Sequence, residues 1–319
     1  MAAFVNDKTR RPGRGSAAGH HYLRFVRQTR RVKPLRTAVV HPVDALALGG
    51  AIEAARAKLI VPVLVGPEAK IRAAARQADV DLAAYECIWT EHSHAAAAEA
   101  AALAAERQVE ALMKGSLHTD EFMSAILAEP RLRTARRMSH VFVIDAPAYP
   151  RALLVSDAAV NIYPTLEAKV DIVRNAIALA HVLGTKTPRV AILSAVETVS
   201  PRIRSTLDAA VLCKMAERGQ ITGGILDGPL AFDNAVSVEA ARTKGIRSAV
   251  AGRADILIVP DLEAGNMLAK QLEYLRERKS PASCWARACR SSSPAVRTRR
   301  CRAWHRARLG CCSRAAAHR

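Results

Sequence analysis

The stretch LIVPVLVGPEAKIRAAARQA (residues 59–78) decides the fold. Its first half is a continuous apolar run of strand length, which is typical of a strand buried on both faces of a parallel sheet. Its second half is an Ala-rich helical sequence, and Gly66 and Pro67 mark the turn between the two halves. A buried strand that leads at once into a helix is half of a βαβ unit, so this stretch predicts an α/β fold.

The same order of strand, turn and helix recurs along most of the chain. Strands are predicted within residues 36–42, 59–67, 140–147, 152–160, 189–197 and 254–262. Helices are predicted over residues 46–58, 68–78, 93–113, 166–183 and 203–218, with a last one from Asn266. Repeated strand–helix units imply mainly parallel sheets, in which ligands bind beyond the carboxyl ends of the strands.

Charge distinguishes the two ends of the chain from its middle. The net charge is +19 over 319 residues, but residues 37–280 contain equal numbers of acidic and basic side chains. The excess of arginine and lysine lies in residues 1–36 and 281–319. A neutral body argues against binding of nucleic acid over the folded surface, and binding through the Arg-rich termini is kept as an alternative function.

Hydropathy and cysteine content argue against a membrane or an oxidising compartment. No apolar run approaches the roughly 20 residues that a bilayer helix needs, and no apolar stretch follows the basic N-terminus as it does in a signal peptide. Cys87 and Cys213 stand alone in the neutral middle, as expected of core thiols in a reducing compartment. We therefore expect a cytoplasmic protein with no membrane partner.

Polar residues that follow predicted strands, among them Asp44 and Asp157, are the first candidates for a binding site. Lys114, Gly115 and Ser116 combine a cation, a flexible turn and a hydroxyl, and four arginines come after them: Arg131, Arg133, Arg136 and Arg137. Backbone amides at a Gly-Ser turn and bidentate guanidinium groups suit phosphate recognition. The alternative is that the arginines lie on a solvated helix face.

Two later stretches are candidates as well. Residues 223–229 (GGILDGP) form a Gly-rich approach to a turn, where backbone can come close to a ligand. Residues 261–266 (DLEAGN) place Gly and Asn at a helix start, where backbone N–H groups favour anions. An ordinary turn and an ordinary N-cap are the alternatives. The histidines show no H-E-x-x-H spacing, so we predict no metal site. No nucleotide-binding or nucleophile-elbow motif occurs, which argues against a dinucleotide-binding, P-loop or α/β-hydrolase function.

Six motifs, taken in order, resemble one protein family. They are MKGSLHTDEFM (113–123), LRTARRMSHVFVIDAP (132–147), NIYPTLEAKVDIVRNAIALAHVLG (161–184), PRVAILSAVETV (188–199), GGILDGPLAFDNAVS (223–237) and ADILIVPDLEAGNMLAKQLEYL (254–275). Together they resemble the phosphate acetyltransferase and phosphate butyryltransferase family. The resemblance covers about residues 34–275 and is closest to the C-terminal domain of bifunctional enoyl-CoA hydratase/phosphate acetyltransferase proteins.

The resemblance implies a fold and a reaction. The family is similar in fold to isocitrate and isopropylmalate dehydrogenases, with two α/β domains, a cleft between them and usually a homodimer. Together with the charge distribution, it divides the chain into a basic segment at 1–36, one domain at 37–144, a second at 145–275 and a tail at 276–319 that replaces the C-terminal part of the first domain. The implied reaction interconverts acyl-CoA plus phosphate and acyl phosphate plus CoA, with acetyl or butyryl as the acyl group. CoA is then a substrate, no cofactor is expected, and a dehydrogenase on the same fold is the second alternative.

The resemblance also implies site residues. On the phosphate side of the cleft it implies Ser116 and Arg133 as catalytic residues, with Lys114 and Gly115 beside them. The CoA side is implied to contain Asp227, Gly228, Pro229, Asp233, Glu263, Gly265 and Asn266. The reaction needs a phosphate site, a polarised carbonyl and a base for the CoA thiol.

The tail departs from the family pattern. Where relatives continue with a segment like GIVLGARVPIILTSRAD, this chain has ASCWARACRSSSPAVRTRR (residues 282–300). One DNA sequence can encode both GIVLGARVPIILTS and ASCWARACRSSSPA in frames one nucleotide apart. We therefore predict a frame shift near residues 275–279, which resequencing of the gene tests, and we expect loss of the Ser-Arg pair in the tail to inactivate this chain.

Overall fold

The computed structural model describes residues 32–146 and 148–277. Most of the basic segment predicted at 1–36 lies outside the described residues. So does almost all of the tail predicted at 276–319, with its arginines and its predicted frame shift.

Strands and helices alternate through the described part of the chain. The strands are β1 (Leu35–Val40), β2 (Ile60–Gly66), β3 (Glu86–Trp89), β4 (Ala111–Lys114), β5 (Phe142–Ile144), β6 (Leu153–Ser156), β7 (Arg189–Leu193), β8 (Ile225–Leu230) and β9 (Ile256–Ile258). The helices are α1 (Ala45–Arg56), α2 (Glu68–Ala78), α3 (Ser93–Ala105), α4 (Thr119–Ala128), α5 (Leu166–Val182), α6 (Arg204–Glu217), α7 (Phe232–Val236), α8 (Val238–Thr243) and α9 (Leu262–Glu277). None of these helices is long and apolar enough to span a bilayer.

The first sheet contains β3, β2, β1 and β4 in that order, and all its strands are parallel. Val39 of β1 lies opposite Leu64 of β2 and Met113 of β4. These side chains pack under α1 and α2, whereas the alternate residues of β1 and β2 pack under α3. The apolar run at 59–67 is therefore a strand buried on both faces, as predicted.

The second sheet has the order β5-β6-β9-β7-β8, in which only β5 runs antiparallel. Ile256 of the central β9 lies opposite Leu154 and Val190. The helices α5 and α6 cover one face of this sheet, and residues of α7, α8 and α9 cover the other. β5 belongs to this sheet although the predicted division falls after residue 144. The prediction of an α/β fold with mainly parallel sheets is confirmed.

The helix predicted over residues 93–113 is wrong in its second half. α3 ends at Ala105, because Arg107 adopts a left-handed conformation (φ 61°) and the Gln108 N–H bonds back to the Leu103 carbonyl. The chain then enters β4, which pairs with β1. Alanine favours helix wherever it occurs, so composition did not mark this end.

Two other elements differ from prediction. The Gly-rich stretch at 223–229 leads into a strand rather than a turn, since β8 pairs with β7 across a register shift between Ala191 and Leu193. The last helix begins at Leu262 rather than Asn266, because the Asp261 carboxylate accepts the Ala264 N–H at 2.9 Å and caps it.

Candidate functional site

The carboxyl ends of β1 and β4 bring Asp44 and Ser116 together. These neighbouring parallel strands end side by side, with Val40 opposite Lys114, and the two loops that follow carry the two side chains. Ser116 Oγ donates a hydrogen bond to Asp44 Oδ2. Asp44 Oδ1 accepts the Ala47 N–H at 2.7 Å and caps α1. The carboxylate thus starts the helix and orients the hydroxyl, whose oxygen lone pairs can accept a hydrogen bond from a ligand.

Backbone contacts fix the loop around Ser116. The N–H groups of Gly115 and Ser116 donate to the carbonyls of Val40 and His41, each at 2.8 Å. A Cβ at position 115 would lie 2.5 Å from the Val40 oxygen and 2.7 Å from the His41 oxygen, so only glycine fits. The buried His41 ring places Nδ1 3.1 Å from the Ser116 carbonyl oxygen. The position of Ser116 is therefore set by β1 as much as by β4.

Lys114 directs its ammonium group back to its own loop. Nζ donates to the Leu117 carbonyl at 2.6 Å and to the Gly115 carbonyl at 3.3 Å. These bonds to backbone oxygens hold the ammonium group against the turn. The loop that carries Ser116 therefore also carries a cation.

Arg133 and Arg131 each bond to a residue close to them in the sequence. Arg133 donates from Nε and Nη2 to the Leu127 carbonyl, at 3.1 and 2.9 Å, at the end of α4. Arg131 forms an ion pair with Glu129 at 2.8 Å, and this hydrogen bond lowers the pKa of Glu129 to about 2. Within the described residues, no hydrogen bond or ion pair joins Arg133 to Ser116. The alternative of a continuous solvated helix face is wrong, because helical structure here is limited to a single 3₁₀ turn at Pro130–Leu132.

Arg137 reaches the second sheet instead. Its Nε donates to Asn161 Oδ1 at 2.5 Å. Its backbone is held on α5, since the Arg137 N–H donates to Asp171 Oδ2 and the Asn175 amide donates to the Arg137 carbonyl, both at 2.9 Å. Of the four predicted arginines, Arg137 is thus the one whose guanidinium contacts the loop after β6.

Asp157 organises that loop. Its side chain is buried (2 % exposed), and Oδ1 accepts the N–H groups of His140, Ala159 and Val160 at 3.0–3.3 Å. Oδ2 accepts the Asn161 N–H at 3.1 Å and also the Asn161 side-chain amide. Five donors therefore satisfy this buried carboxylate, as a buried charge requires.

Gly265 and Asn266 hold the start of α9 against the same loop. A Cβ at position 265 would lie 2.7 Å from the Asp157 carbonyl oxygen, and Asn266 Nδ2 donates to the Ala158 carbonyl at 3.0 Å. Glu263, in the first turn of α9, is exposed. The structure therefore gathers these three predicted CoA-side residues at the carboxyl ends of β6 and β9, where Gly265 and Asn266 make packing contacts.

Asp227, Gly228 and Pro229 lie within the edge strand β8, roughly 14 Å from β6 because β9 and β7 intervene. Asp227 Oδ1 accepts the Gly228 N–H at 2.9 Å. A Cβ at position 228 would lie 2.8 Å from the Ile192 oxygen, so glycine permits the close contact with β7. Cys213 Sγ lies 3.7 Å from the Gly228 carbonyl oxygen, and burial raises the pKa of this thiol to about 12. Cys213 is thus a core thiol.

Asp233 lies in α7 beside a shallow depression of about 370 Å³, which is also lined by Ser237, Glu239, Ala240, Thr243 and Lys244. Lys244 pairs with Glu197 at 3.0 Å, and this hydrogen bond lowers the pKa of Glu197. The fully buried Asn234 places Nδ2 3.4 Å from the same carboxylate. This polar corner lies beyond the carboxyl ends of β7 and β8.

Position after a strand marked Asp44 and Asp157 as candidates in the sequence but gave them no role, and Asn161 was not among the candidates; in the structure all three hold other residues in place. Asp44 lies in the loop after β1, four residues beyond Val40, and Asp157 and Asn161 follow β6 with a spacing of four residues; position after a strand was the signal available for each. Over residues 32–146 and 148–277, no group of three or more His, Cys, Asp or Glu side chains is arranged to hold a metal ion.

Comparison with known proteins identifies the family. A family model described as phosphate acetyl/butaryl transferase matches residues 90–280. The chain is 60% identical over 255 residues to a phosphate acetyltransferase of Rhizobium meliloti, covering 80% of this chain and 81% of that protein. It is 40% identical over 246 residues to a phosphate butyryltransferase of Clostridium beijerinckii, covering 77% of this chain and 82% of that protein.

A solved structure has the same fold. A branched-chain phosphotransacylase from Enterococcus faecalis V583 superposes with a TM-score of 0.66 at 24% identity, covering 85% of this chain and 98% of that chain. Over most of its length, this chain is thus related by sequence to acetyl- and butyryltransferases and by fold to a phosphotransacylase. The chain therefore belongs to the phosphate acetyl/butyryl transferase family.

Proposed function

We propose that this phosphate acyltransferase builds the phosphate side of its active site at the carboxyl ends of β1 and β4, around Ser116 and Asp44. The hydrogen bond from Ser116 Oγ to Asp44 is the observation that carries the proposal. The reaction moves an acyl group between the sulfur of CoA and an oxygen of phosphate. A group that orients the phosphate and accepts its proton lowers the barrier to this transfer.

The pair can perform this task from acyl-CoA as follows. A hydroxyl of phosphate donates its hydrogen to Ser116 Oγ, whose own hydrogen already points to Asp44. As a phosphate oxygen forms a bond to the thioester carbon, the phosphate proton passes to Ser116 and the Ser116 proton passes to Asp44. The C–S bond then breaks, the CoA thiolate leaves and takes a proton from solvent, and Asp44 returns its proton to solvent, which restores the carboxylate for the next turnover. The reverse reaction follows the same path from acyl phosphate.

Two features offset the negative charge of Asp44, which would otherwise repel phosphate. Asp44 caps α1, so the positive end of the helix dipole lies at its carboxylate. Lys114 places a positively charged group in the same loop as Ser116, where Nζ donates to the carbonyls of Gly115 and Leu117. Both favour an anionic ligand at this edge of the sheet.

Acetyl is the acyl group we propose as the preferred one, with butyryl second. Identity is higher to the Rhizobium meliloti protein named phosphate acetyltransferase than to the Clostridium beijerinckii protein named phosphate butyryltransferase. The measurement is kcat/KM with acetyl-CoA and with butyryl-CoA at fixed phosphate. A higher value for butyryl-CoA would reverse this assignment.

Asp44→Asn is the sharpest test of the pair. Asparagine caps a helix about as well as aspartate, so α1 should form normally, but its amide cannot accept the proton. We expect kcat for thiol release from acetyl-CoA and phosphate to fall by about 100-fold or more, with a similar loss for Ser116→Ala. Asp120→Asn, a matched change at an exposed acid in the first turn of α4, should keep full activity. An Asp44→Asn variant with wild-type kcat would contradict the proposal.

The finer predictions from the family belong to the same proposal. They are a two-domain arrangement like that of isocitrate dehydrogenase, a cleft whose CoA side includes Asp227, Asp233 and Glu263, a homodimer and a cytoplasmic location. Membership of the family supports each of them. Light scattering of the purified protein tests the dimer, and titration with CoA tests binding.

The two alternative functions have no observation in their favour. Nucleic-acid binding was predicted from arginines that lie mostly outside the described residues, and the relatives that match four fifths of the chain are named as acyltransferases rather than dehydrogenases. The predicted inactivity rests on residues 282–300, also outside the described residues, and no comparison supports it. Thiol release by the chain as it stands tests it directly.

A further inference from the structure

Arg137 stands at the end of a chain of side chains that begins at a buried carboxylate. Asp157 accepts the Asn161 side-chain N–H, and Asn161 Oδ1 in turn accepts Arg137 Nε. We propose that Arg137 binds phosphoryl oxygens of a substrate, and that Asn161 and Asp157 position it for this task. The inference rests on the proposed function, since both phosphate and CoA carry such oxygens.

The partner of Arg137 leaves its charge available. An amide oxygen holds Nε without neutralising the guanidinium, and within the described residues no carboxylate forms an ion pair with Arg137 and no acceptor contacts its Nη atoms. Arg131 and Arg36 differ, because each pairs with a glutamate at 2.7–2.8 Å. Arg137 is exposed. Its two Nη atoms therefore form a free fork of the kind that binds two oxygens of a phosphoryl group.

The position and the rigidity of Arg137 suit a binding role. Asn161 belongs to the loop after β6, at the sheet edge where parallel α/β folds bind ligands. The Arg137 backbone is tied to Asp171 and Asn175 on α5, and Nε is tied to Asn161. An arginine fixed at both ends loses less freedom when it binds an anion than a freely moving one. Of the acids next to it, Asp157 accepts the five N–H donors described above, and Asp171 accepts the Arg137 backbone N–H and pairs with Arg174 at 3.7 Å.

The phosphoryl oxygens have two possible sources. One is phosphate itself, or the phosphoryl group of acyl phosphate, and the other is a phosphate of CoA. The chemistry at Arg137 is the same for both, and kinetics distinguish them. Loss of the first raises KM for phosphate and acetyl phosphate, whereas loss of the second raises KM for acetyl-CoA and CoA.

Arg137→Met and Arg218→Met make a matched pair. Both remove one exposed arginine and change the net charge equally, but Arg218 caps the end of α6, at the opposite edge of the sheet from the strand ends. A charge-assisted hydrogen bond contributes enough that we expect Arg137→Met to raise one of the two sets of KM values about 10- to 100-fold. Arg218→Met should leave both sets unchanged. Arg137→Lys should recover part of the loss, since lysine keeps the charge but lacks the fork.

Asn161→Ala tests the positioning role. It should raise the same KM as Arg137→Met, by a smaller factor, while leaving the other KM unchanged; a purely structural role would not select one substrate. Calorimetric titration with CoA and with acetyl phosphate gives the same comparison without turnover. If Arg137→Met keeps both KM values and both affinities within twofold of wild type, the role of Arg137 is refuted. If the wild type neither binds nor converts either substrate, the proposed function fails instead.

Discussion

Replacing Gly115 by alanine should disable the site more than it destabilises the fold. The new Cβ would lie 2.5 Å from the Val40 oxygen and 2.7 Å from the His41 oxygen, both backbone atoms at the end of β1. Real contacts of this kind are essentially never shorter than 3.0 Å, so the strand ends must separate by about 0.5 Å or more. Overpacking of this size costs about 1–3 kcal/mol of unfolding free energy.

The same displacement moves Ser116 away from Asp44. Ser116 follows the glycine directly and bonds to the His41 carbonyl, so it must shift with the loop. A displacement of 0.5–1 Å in a catalytic group lowers kcat by about 10- to 100-fold. Thiol release from acetyl-CoA and urea unfolding measure the two effects separately.

Gly245→Ala is the control. Position 245 has φ +68°, and an added Cβ there has no atom within 4 Å. Alanine at this position should cost about 1 kcal/mol through backbone strain alone and leave kcat unchanged. If Gly115→Ala keeps wild-type kcat, or loses activity only in proportion to a stability loss like that of Gly245→Ala, the reasoning about the Ser116 loop is refuted.

Three other predictions concern groups that the fold buries. Lys169 and Asp208 form a buried ion pair at 2.7 Å, so Lys169→Met should lower the unfolding free energy by about 3–5 kcal/mol, and Lys169→Met combined with Asp208→Leu should recover most of it in urea titrations. Because burial raises the pKa of Cys213 to about 12, this thiol should not react with a thiol reagent at pH 8 until the protein unfolds. Burial likewise raises the pKa of Tyr149 to about 12, above its unfolded value near 10, so stability should fall as pH rises from about 10 to 12. Tyr149→Phe should reduce that slope.

Six of the nine strands in the described part of the chain, namely β1, β2, β5, β6, β7 and β9, could be predicted because each lies in a short apolar run, whereas β3, β4 and β8 could not. β2 and α2 agree with the prediction to within a residue or two. The errors have local causes that composition does not reveal. α3 ends where Arg107 turns left-handed inside an Ala-rich stretch, and β8 contains the Gly and Pro residues that usually mark a turn.

The loops of the site could also be predicted, since the carboxyl ends of parallel strands lie at one edge. The partners within them could not. Ser116 and Asp44 are 72 residues apart, and they meet because the register of β1 and β4 sets Val40 opposite Lys114. Likewise, Arg137 rather than Arg133 reaches the second sheet because the chain after α4 runs along α5, a tertiary contact with no trace in a run of arginines.

In both loops, the one after β1 and the one after β6, an aspartate side chain accepts backbone N–H groups. Where a strand ends and the chain turns, backbone N–H groups lose their ladder partners and need acceptors. Asp44 and Asp157 supply carboxylate oxygens for these groups, and the oxygen that faces the neighbouring side chain orients it. That neighbour is an uncharged group in each case, the Ser116 hydroxyl or the Asn161 amide. The carboxylate therefore fixes its orientation without forming an ion pair with it.

Substitution by asparagine should have different effects at Asp44 and at Asp157. At Asp44, one amide oxygen would still cap α1, while the amide N–H would face Ser116 and force its hydroxyl to turn and donate outward, which removes the acceptor that a phosphate hydroxyl needs. At Asp157, both oxygens already accept N–H groups, so an amide would set an N–H against other N–H groups in a buried place. The loop after β6 would then lose its order, and with it the positions of Asn161 and of the α9 start. Loss of charge at Asp44 is thus a chemical change, whereas at Asp157 it is a structural one.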